Sequence, residues 1–415
     1  MRDQIHSDRA YDYGADYEAD LIDDERALAA DAASRRSFLG QAGKAVAAMG
    51  IFGMGFNEFR GLVRHPADLL APSQSAEPAT PAPTAAPALP NPVDLRLTEA
   101  DRREWQIFKR RFVSAEGRVV DTGNNCISHT EGQGWGMFFA VAFDDRETFD
   151  RLYAWTQRTL CRADDHLHCW KYDPASPEPV GDQNNATDGD LFIAWALWRA
   201  AGRWRNPAHA EAARAIARDV LTLLVRNTGD RTVLLPGAAG FENAGSVEVN
   251  PSYYCFKALA ELSDAVPSPI WDKLRADGLR LIAEGRFGQW QLPPDWLRVA
   301  RGTGQLSPAP NRPARFSYDA IRVPLYLAWA GESLPAFTTY WRDTSPSTPA
   351  WVDLHTGATA PYVAPPGMVA VAKVATAVAN TTLPSAFPSI HTSPDYYSSA
   401  LICLSRLAWH ESRGA

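Results

Sequence analysis

From Thr98 onward, apolar residues recur every three or four positions in blocks separated by Gly, Pro and Asn. That spacing gives each block one apolar helical face. It predicts helices over 98–113, 131–143, 146–160, 188–201, 207–227, 252–264, 268–286, 319–330, 334–342, 366–380 and 394–411. Alternating, strand-like runs are few and short. So dense a succession of helices predicts an all-α fold, with paired helices stacked in a closed ring or a solenoid. No fixed-period repeat is visible, which argues against a standard solenoid.

The pattern fails upstream. Residues 71–92, "APSQSAEPATPAPTAAPALPNP", have no periodicity and read as an extended, disordered linker. This divides the chain into a leader (1–70), a linker (71–93) and a folded domain (94–415). Within the leader, "SRRSFLGQAGKAVAAMGIFGMGF" places paired arginines before a modest apolar run interrupted by Lys44. It resembles a twin-arginine export signal. The uninterrupted apolar part, 45–56, is short of the roughly 20 residues that span a bilayer. The expectation is a periplasmic or secreted protein without a stable membrane span.

Composition adds three constraints. With 46% hydrophobic residues in a 415-residue chain, a large core can form, and a formal net charge of −7 argues against a nucleic-acid partner. Export to an oxidising compartment would allow Cys126, Cys161, Cys169, Cys255 and Cys403 to pair. Five is odd, so at least one has no partner within the chain; buried free thiols are the ordinary reading of all five. Fourteen Trp, 13 Tyr and 17 Phe exceed what a few core positions need. Those near loops and helix mouths, Trp135, Trp170, Tyr172, Tyr253, Trp290, Trp296 and Tyr318, suit the C–H faces of sugars as well as they suit packing. No metal-ligand cluster or phosphate loop is apparent, so no cofactor is expected.

Three acidic residues stand at predicted helix mouths. In "SHTEGQGWGMFFAVAF", Thr130 and Gln133 have capping-box spacing, making Thr130 the expected N-cap and Glu131 the first helical residue. An acid there gains about 0.3–1 kcal/mol from the helix dipole without any further role. Gly132, Gly134 and Gly136 weaken the helix start and imply a close approach to its backbone. Asp188 and Asp190 in "NNATDGDLFIAWALWRAAGRW" precede or enter a second helix, where capping is again the ordinary reason. Asp319 in "RFSYDAIRVPLYLAWAG" stands before a third, whose early turn contains Pro324.

"ATDGDLFIAWALWRAAGRW" is similar to the signature of glycoside hydrolase family 8. "EGQGWGM", "WKYDP", "NPSYY", "PPDW", "SYDAIRVPLY" and "PDYYSSAL" follow in that family's order over about residues 98–411. Trp198 departs from the pattern, which usually has an aliphatic residue there. The resemblance implies an (α/α)6 barrel of six inner and six outer helices, and inverting hydrolysis of β-1,4-linked polysaccharides. Matched by position, it makes Glu131 the general acid, Asp319 the general base and Asp188 the third active-site carboxylate. Trp170, Tyr253, Tyr318, Arg322, Gln133 and Tyr396 are expected on the substrate, with Tyr253 beside the attacking water. "LLPGAAGFENAGSVEVNPSYY" is most similar to the endoglucanases that accompany bacterial cellulose synthase. This implies endo-acting cleavage of β-1,4-glucan and a functional association with that machinery. Chitosan, mixed-linkage glucan and xylan are alternative substrates, and a polysaccharide lyase or a non-catalytic glycan-binding protein are alternative classes.

These roles carry electrostatic demands. A helix N-terminus favours a charged acid, so Glu131 needs desolvation or a neighbouring carboxylate to stay protonated. Asp188 is expected to supply that charge. Arg322, three residues after Asp319, is expected to keep the base ionised.

Overall fold

The outer helices carry the amphipathic pattern and most of the inner ones have lost it. In the computed structural model, which describes residues 88–384 and 386–412, α1 (Glu99–Phe112) buries Trp105, Phe108 and Phe112 on one stripe. Thr98 and Asp101 form a reciprocal capping box at its start. Helices α3 (Arg146–Leu160), α5 (Pro207–Asp219), α7 (Pro269–Glu284) and α9 (Pro335–Thr344) are likewise one-sided. Asp145, Asn206 and Ser268 cap the first three, and a proline opens the last three. The other six are α2 (Thr130–Ala142), α4 (Thr187–Arg203), α6 (Phe256–Ala265), α8 (Arg322–Trp329), α10 (Pro366–Ala379) and α11 (Tyr396–Ser412). Helix α4 is buried from Thr187 to Gly202, and α8 along its whole length. A helix that is apolar all round belongs inside.

The inner helices pack in the order α2, α4, α6, α8, α10, α11, and α11 returns to α2. This is the expected (α/α)6 barrel, with all six inner N-termini at one face. Eleven α-helices are present among the described residues, six inner and five outer. Between α10 and α11 the chain runs through 380–395 with a single helical turn, Ile390–Thr392. Arg111 on α1 fastens it by donating to the carbonyls of Ile390, Ser393 and Pro394.

Several helix ends differ from the pattern's prediction. The 207–227 block ends its α-helix at Asp219, makes a π-turn (Val220–Leu224), and continues as β3 (Val225–Asn227) against β4 (Thr232–Leu234). The 252–264 block breaks at Tyr254 and Cys255 between a 3-10 turn (Pro251–Tyr253) and α6. Short strands also edge the N-terminal face. Strand β1 (Ser128–His129) pairs with β2 (Lys171–Tyr172); β5 (Ser246–Val249), β6 (Leu297–Ala300) and β7 (Leu306–Pro308) form a meander; β8 (Arg315–Phe316) pairs with β9 (Val352–Asp353).

The glycines at the start of α2 serve helix packing. A Cβ on Gly134 would stand 2.7 Å from the Phe192 Cβ on α4, and one on Gly189 of α4 would stand 2.1 Å from the Thr130 hydroxyl. The close approach read from "EGQGWG" is therefore made by Tyr396 of α11 at Gly132, by α4 at Gly134, and by Val119 and Leu152 at Gly136.

At the barrel's far end, Arg199 of α4 pairs with Glu261 of α6 at 2.7 Å and with Glu411 of α11 at 2.6 Å. Its guanidinium lies 4.5 Å from the Trp195 ring centroid and 4.9 Å from that of Phe138.

The leader (1–70) and linker residues 71–87 lie outside the described residues. The linker's last residues do not stand free: Leu89 packs on the core and the Pro90 carbonyl lies against Gly202. All five cysteines are unpaired, and Cys126 and Cys161 are exposed, contrary to the expectation of burial. Among the described residues, no helix is long and apolar enough to cross a membrane.

Candidate active site

Helix α2 begins one residue earlier than its sequence predicts. Pairing of β1 with β2 brings the Trp170 carbonyl to the Thr130 N–H at 2.9 Å, so Thr130 is already helical and His129 becomes the N-cap. The His129 Nδ1 accepts the Gly132 N–H at 3.0 Å. The Thr130–Gln133 capping box does not form. Gln133 is fully buried; its Oε1 accepts the Val119 N–H, and its Nε2 donates to Thr156 Oγ1 and to the carbonyls of Gly117 and Leu152. With every polar atom engaged inside the fold, Gln133 ties the loop before α2 to α3 and cannot bind substrate as expected. Tyr396, also expected on the substrate, is removed from it by burial: it is packed between Phe108, Phe112 and Trp135.

The three predicted acids do converge. Arg322, at the first position of α8, reaches Glu131, Asp188 and Asp319 together. One guanidinium nitrogen contacts the Glu131 carboxylate directly. The other lies 2.6 Å from Asp319 and 3.6 Å from Asp188. Ser252, itself bonded to Asn250, receives the same arm at 2.7 Å. Arg322 therefore serves all three acids, where the sequence assigned it to Asp319 alone. The turn carrying Asp319 is clamped by Asp295, whose Oδ1 accepts the N–H groups of Ser317 and Ala320 at 3.1 and 2.7 Å.

Asp188 is no helix cap. The N-cap of α4 is Ala186, without a side-chain bond, and Asp188 is the buried second residue, accepting the Gly189 N–H at 2.8 Å. Burial pushes its carboxyl up to about 7; Asp190 adds to the rise, while the Gly189 bond and His129 oppose it. Below neutral pH it is thus largely protonated, and the negative charge it was expected to lend to Glu131 is reduced there. Asp190 points elsewhere, bonded to His168 at 2.8 Å and to Asn185 at 2.9 Å inside the core.

The aromatics divide. Tyr253 faces the Arg322 guanidinium at 5.9 Å. Burial, together with the Asp188 and Asp319 charges, holds its pKa well above that of free tyrosine, so it stays a phenol. Half-buried Trp170 is anchored through its indole N–H to Asp182 at 2.9 Å. Tyr318 is held by Tyr397, which donates to its carbonyl, and its hydroxyl is 3.3 Å from that of Tyr362. It borders a cavity of about 440 Å3 with Pro365, Pro394 and Asp395. By contrast, Trp135 is buried, Tyr172 and Trp290 pack edge-on against Trp155 and Tyr340, and Trp296 has Arg312 3.7 Å from its ring centroid. His129, Ser252 and Asp295 join the site without having been expected there, although they lie in "SHTEGQGWGM", "NPSYY" and "PPDW".

A cleft with three carboxylates, one guanidinium and flanking aromatics has the components of acid–base hydrolysis of a sugar polymer. The model of Glycosyl hydrolases family 8 matches residues 93–411. The chain is 46% identical over 317 residues to a probable endoglucanase of Novacetimonas hansenii, covering 75% of this chain and 91% of that protein. It is 40% identical over 271 residues to an endoglucanase of Cellulomonas uda, covering 64% and 75%. The structure of an endo-beta-1,4-glucanase from Acetobacter xylinum superposes with a TM-score of 0.72 at 46% identity, covering 76% of this chain and 99% of that one.

Proposed function

Because the chain belongs to glycosyl hydrolases family 8, we propose that it cleaves β-1,4-glucan of the cellulose type at internal bonds, with Glu131 as general acid and Asp319 as general base. It is a glycoside hydrolase of an inverting family, which separates it from the lyases and from non-catalytic binders. The observation that carries the residue roles is the meeting of Glu131, Asp188 and Asp319 on Arg322. Inversion needs two carboxyls about 6.5–9.5 Å apart, one protonating the leaving oxygen and the other activating water on the opposite face. A guanidinium that bonds each through a different nitrogen offsets their repulsion and fixes their relative placement.

Asp319 has the more exposed carboxylate of the pair and keeps Arg322 beside it, which favours the ionised form a base requires. Glu131 cannot deliver a proton while Arg322 holds it as a carboxylate. Sugar hydroxyls entering the cleft displace that contact and leave the acid free to protonate. Asp188 accepts a sugar hydroxyl from beneath, Tyr253 orients the attacking water, and Trp170 and Tyr318 flank the polymer. Endo action fits the endoglucanases that the chain is similar to.

Following the product by NMR tests the chemistry: the first-formed sugar must be the α-anomer, and a β-anomer would overturn the assignment. Viscosity of carboxymethyl cellulose should fall before reducing ends accumulate. Faster turnover of chitosan, xylan or mixed-linkage glucan would replace the substrate. We further propose export by the twin-arginine route to the periplasm or medium, and service alongside a cellulose synthase. The "SRRSFLG" motif supports the first, and the likeness of "LLPGAAGFENAGSVEVNPSYY" to endoglucanases that accompany cellulose synthase supports the second. Replacing Arg35 and Arg36 by Lys should retain the protein in the cytoplasm.

A further inference from the structure

His129, the N-cap of the helix whose first turn carries the acid, is a side chain that the reaction as described does not use. It sits where four elements meet. Its Nδ1 accepts the Gly132 N–H at 3.0 Å, so that nitrogen carries a lone pair and Nε2 carries the hydrogen. Nε2 faces Asp121 Oδ2 at 3.3 Å, and Asp121 is itself fixed by the Gly123 N–H on its other oxygen at 3.1 Å. The Tyr396 ring meets the imidazole edge-on at 5.7 Å. The imidazole thus links the Asp121 loop to the first turn of α2.

We propose that His129 is a positioning residue for Glu131: its neutral imidazole caps the helix that carries the acid, and its protonation uncaps that helix and sets the acidic limb of activity. The reasoning is donor–acceptor parity. A proton on Nδ1 turns the acceptor into a donor that faces the Gly132 N–H, another donor. The first turn of α2, which contains Glu131, then loses its only side-chain cap. The ionisable groups around the ring are Asp121 on the preceding loop, Asp188 on α4, Glu131 on α2 and, beyond Asp121, Asp395 before α11, with Lys171 its partner across the β1–β2 pair.

The inference rests on Glu131 being the acid. Its test reads the two separately, by comparing kcat and KM against pH for the full-length protein and for His129→Asn, His129→Ala and Glu131→Gln. Nitrogen NMR on the wild type supplies the tautomer and the titration of His129. Asn caps helices well and does not titrate, so His129→Asn should keep kcat within about threefold at neutral pH and extend the acidic limb downward by about one pH unit or more. His129→Ala should lower kcat about tenfold with KM within about twofold, the signature of a displaced acid rather than lost binding. The wild-type imidazole should be the Nε2–H tautomer, titrating at the midpoint of the acidic limb. An acidic limb unmoved in His129→Asn, or an Nδ1–H tautomer, overturns the proposal. If neither variant folds, the wild-type NMR titration decides alone. Full activity in Glu131→Gln would overturn the acid assignment while leaving the capping result to stand or fall by NMR.

Discussion

Two buried arginines sit at opposite ends of the same barrel, and their surroundings teach what distinguishes a working charge cluster from a structural one. Arg199 at the base is matched by Glu261 and Glu411, with bonds to both carboxylates of 2.6–2.9 Å and aromatic rings alongside. Burial opposes the charge on Glu261, yet the guanidinium outweighs it and lowers the pKa. Arg322 at the mouth is shared unequally among three acids, one of them 30% exposed and one 3.6 Å away. At the base each guanidinium nitrogen has a carboxylate acceptor. At the mouth three acids share one guanidinium, and the most exposed of them, Asp319, is within reach of a substrate and a water.

The comparison breaks most sharply at the mouth's reacting acids. Asp319→Asn and Glu131→Gln should each reduce turnover by about 10²–10⁴-fold, the usual scale of a general acid or base, while thermal unfolding moves by only a few degrees. Glu131→Gln should recover on aryl glycosides with good leaving groups, and full activity on cellulose would remove it from the acid role.

At the base the effect should fall on stability instead. Arg199→Met strands the buried Glu411 and leaves Glu261 only the Trp195 indole N–H and Lys257; it is expected to cost about 3–5 kcal/mol, measured by urea unfolding, whereas kcat of the folded fraction stays within about twofold of wild type. A large loss of kcat without destabilisation would erase the distinction between the two ends.

Gly189→Ala should fall between. Its Cβ would press on Thr130 and on the Glu131 N–H, forcing α2 from α4 at a cost of about 1–3 kcal/mol and shifting the acid with it, so both stability and kcat should drop.

The finest test is a slope. Asp188 is raised from 3.8 in the unfolded chain to about 7 in the fold. The unfolded state therefore gives up its proton first as pH rises, and the fold loses stability between those two values. Asp188→Asn should flatten the stability curve across that window and cut turnover. A slope unchanged from wild type would show that Asp188 titrates normally.

Which parts were legible in the sequence follows from where the information lies. The three acids were readable because each stands in a local motif beside an apolar helix, and inner helices reveal themselves by apolar runs. His129 was missed because the cap assignment depends on a partner 41 residues later: the Trp170 carbonyl takes the Thr130 N–H and shifts the helix start by one. Gln133 was misread for the same reason, since its partners at Val119 and Thr156 come from other elements. Arg199 did leave a signal. A lone charge inside "FIAWALWRAAG" demands buried partners, but nothing local names Glu261 or Glu411. The strands escaped because two to four residues are too few to show a period.

The packing of Pro90 against Gly202, and of Glu411 against Arg199, has a consequence for how the molecule can be held. Both ends of the described domain lie beside the C-terminal half of α4, and that helix runs about 25 Å from mouth to base at 1.5 Å per residue. A tether, fusion partner or surface joined at either end therefore grips the barrel by its base and leaves the cleft facing outward.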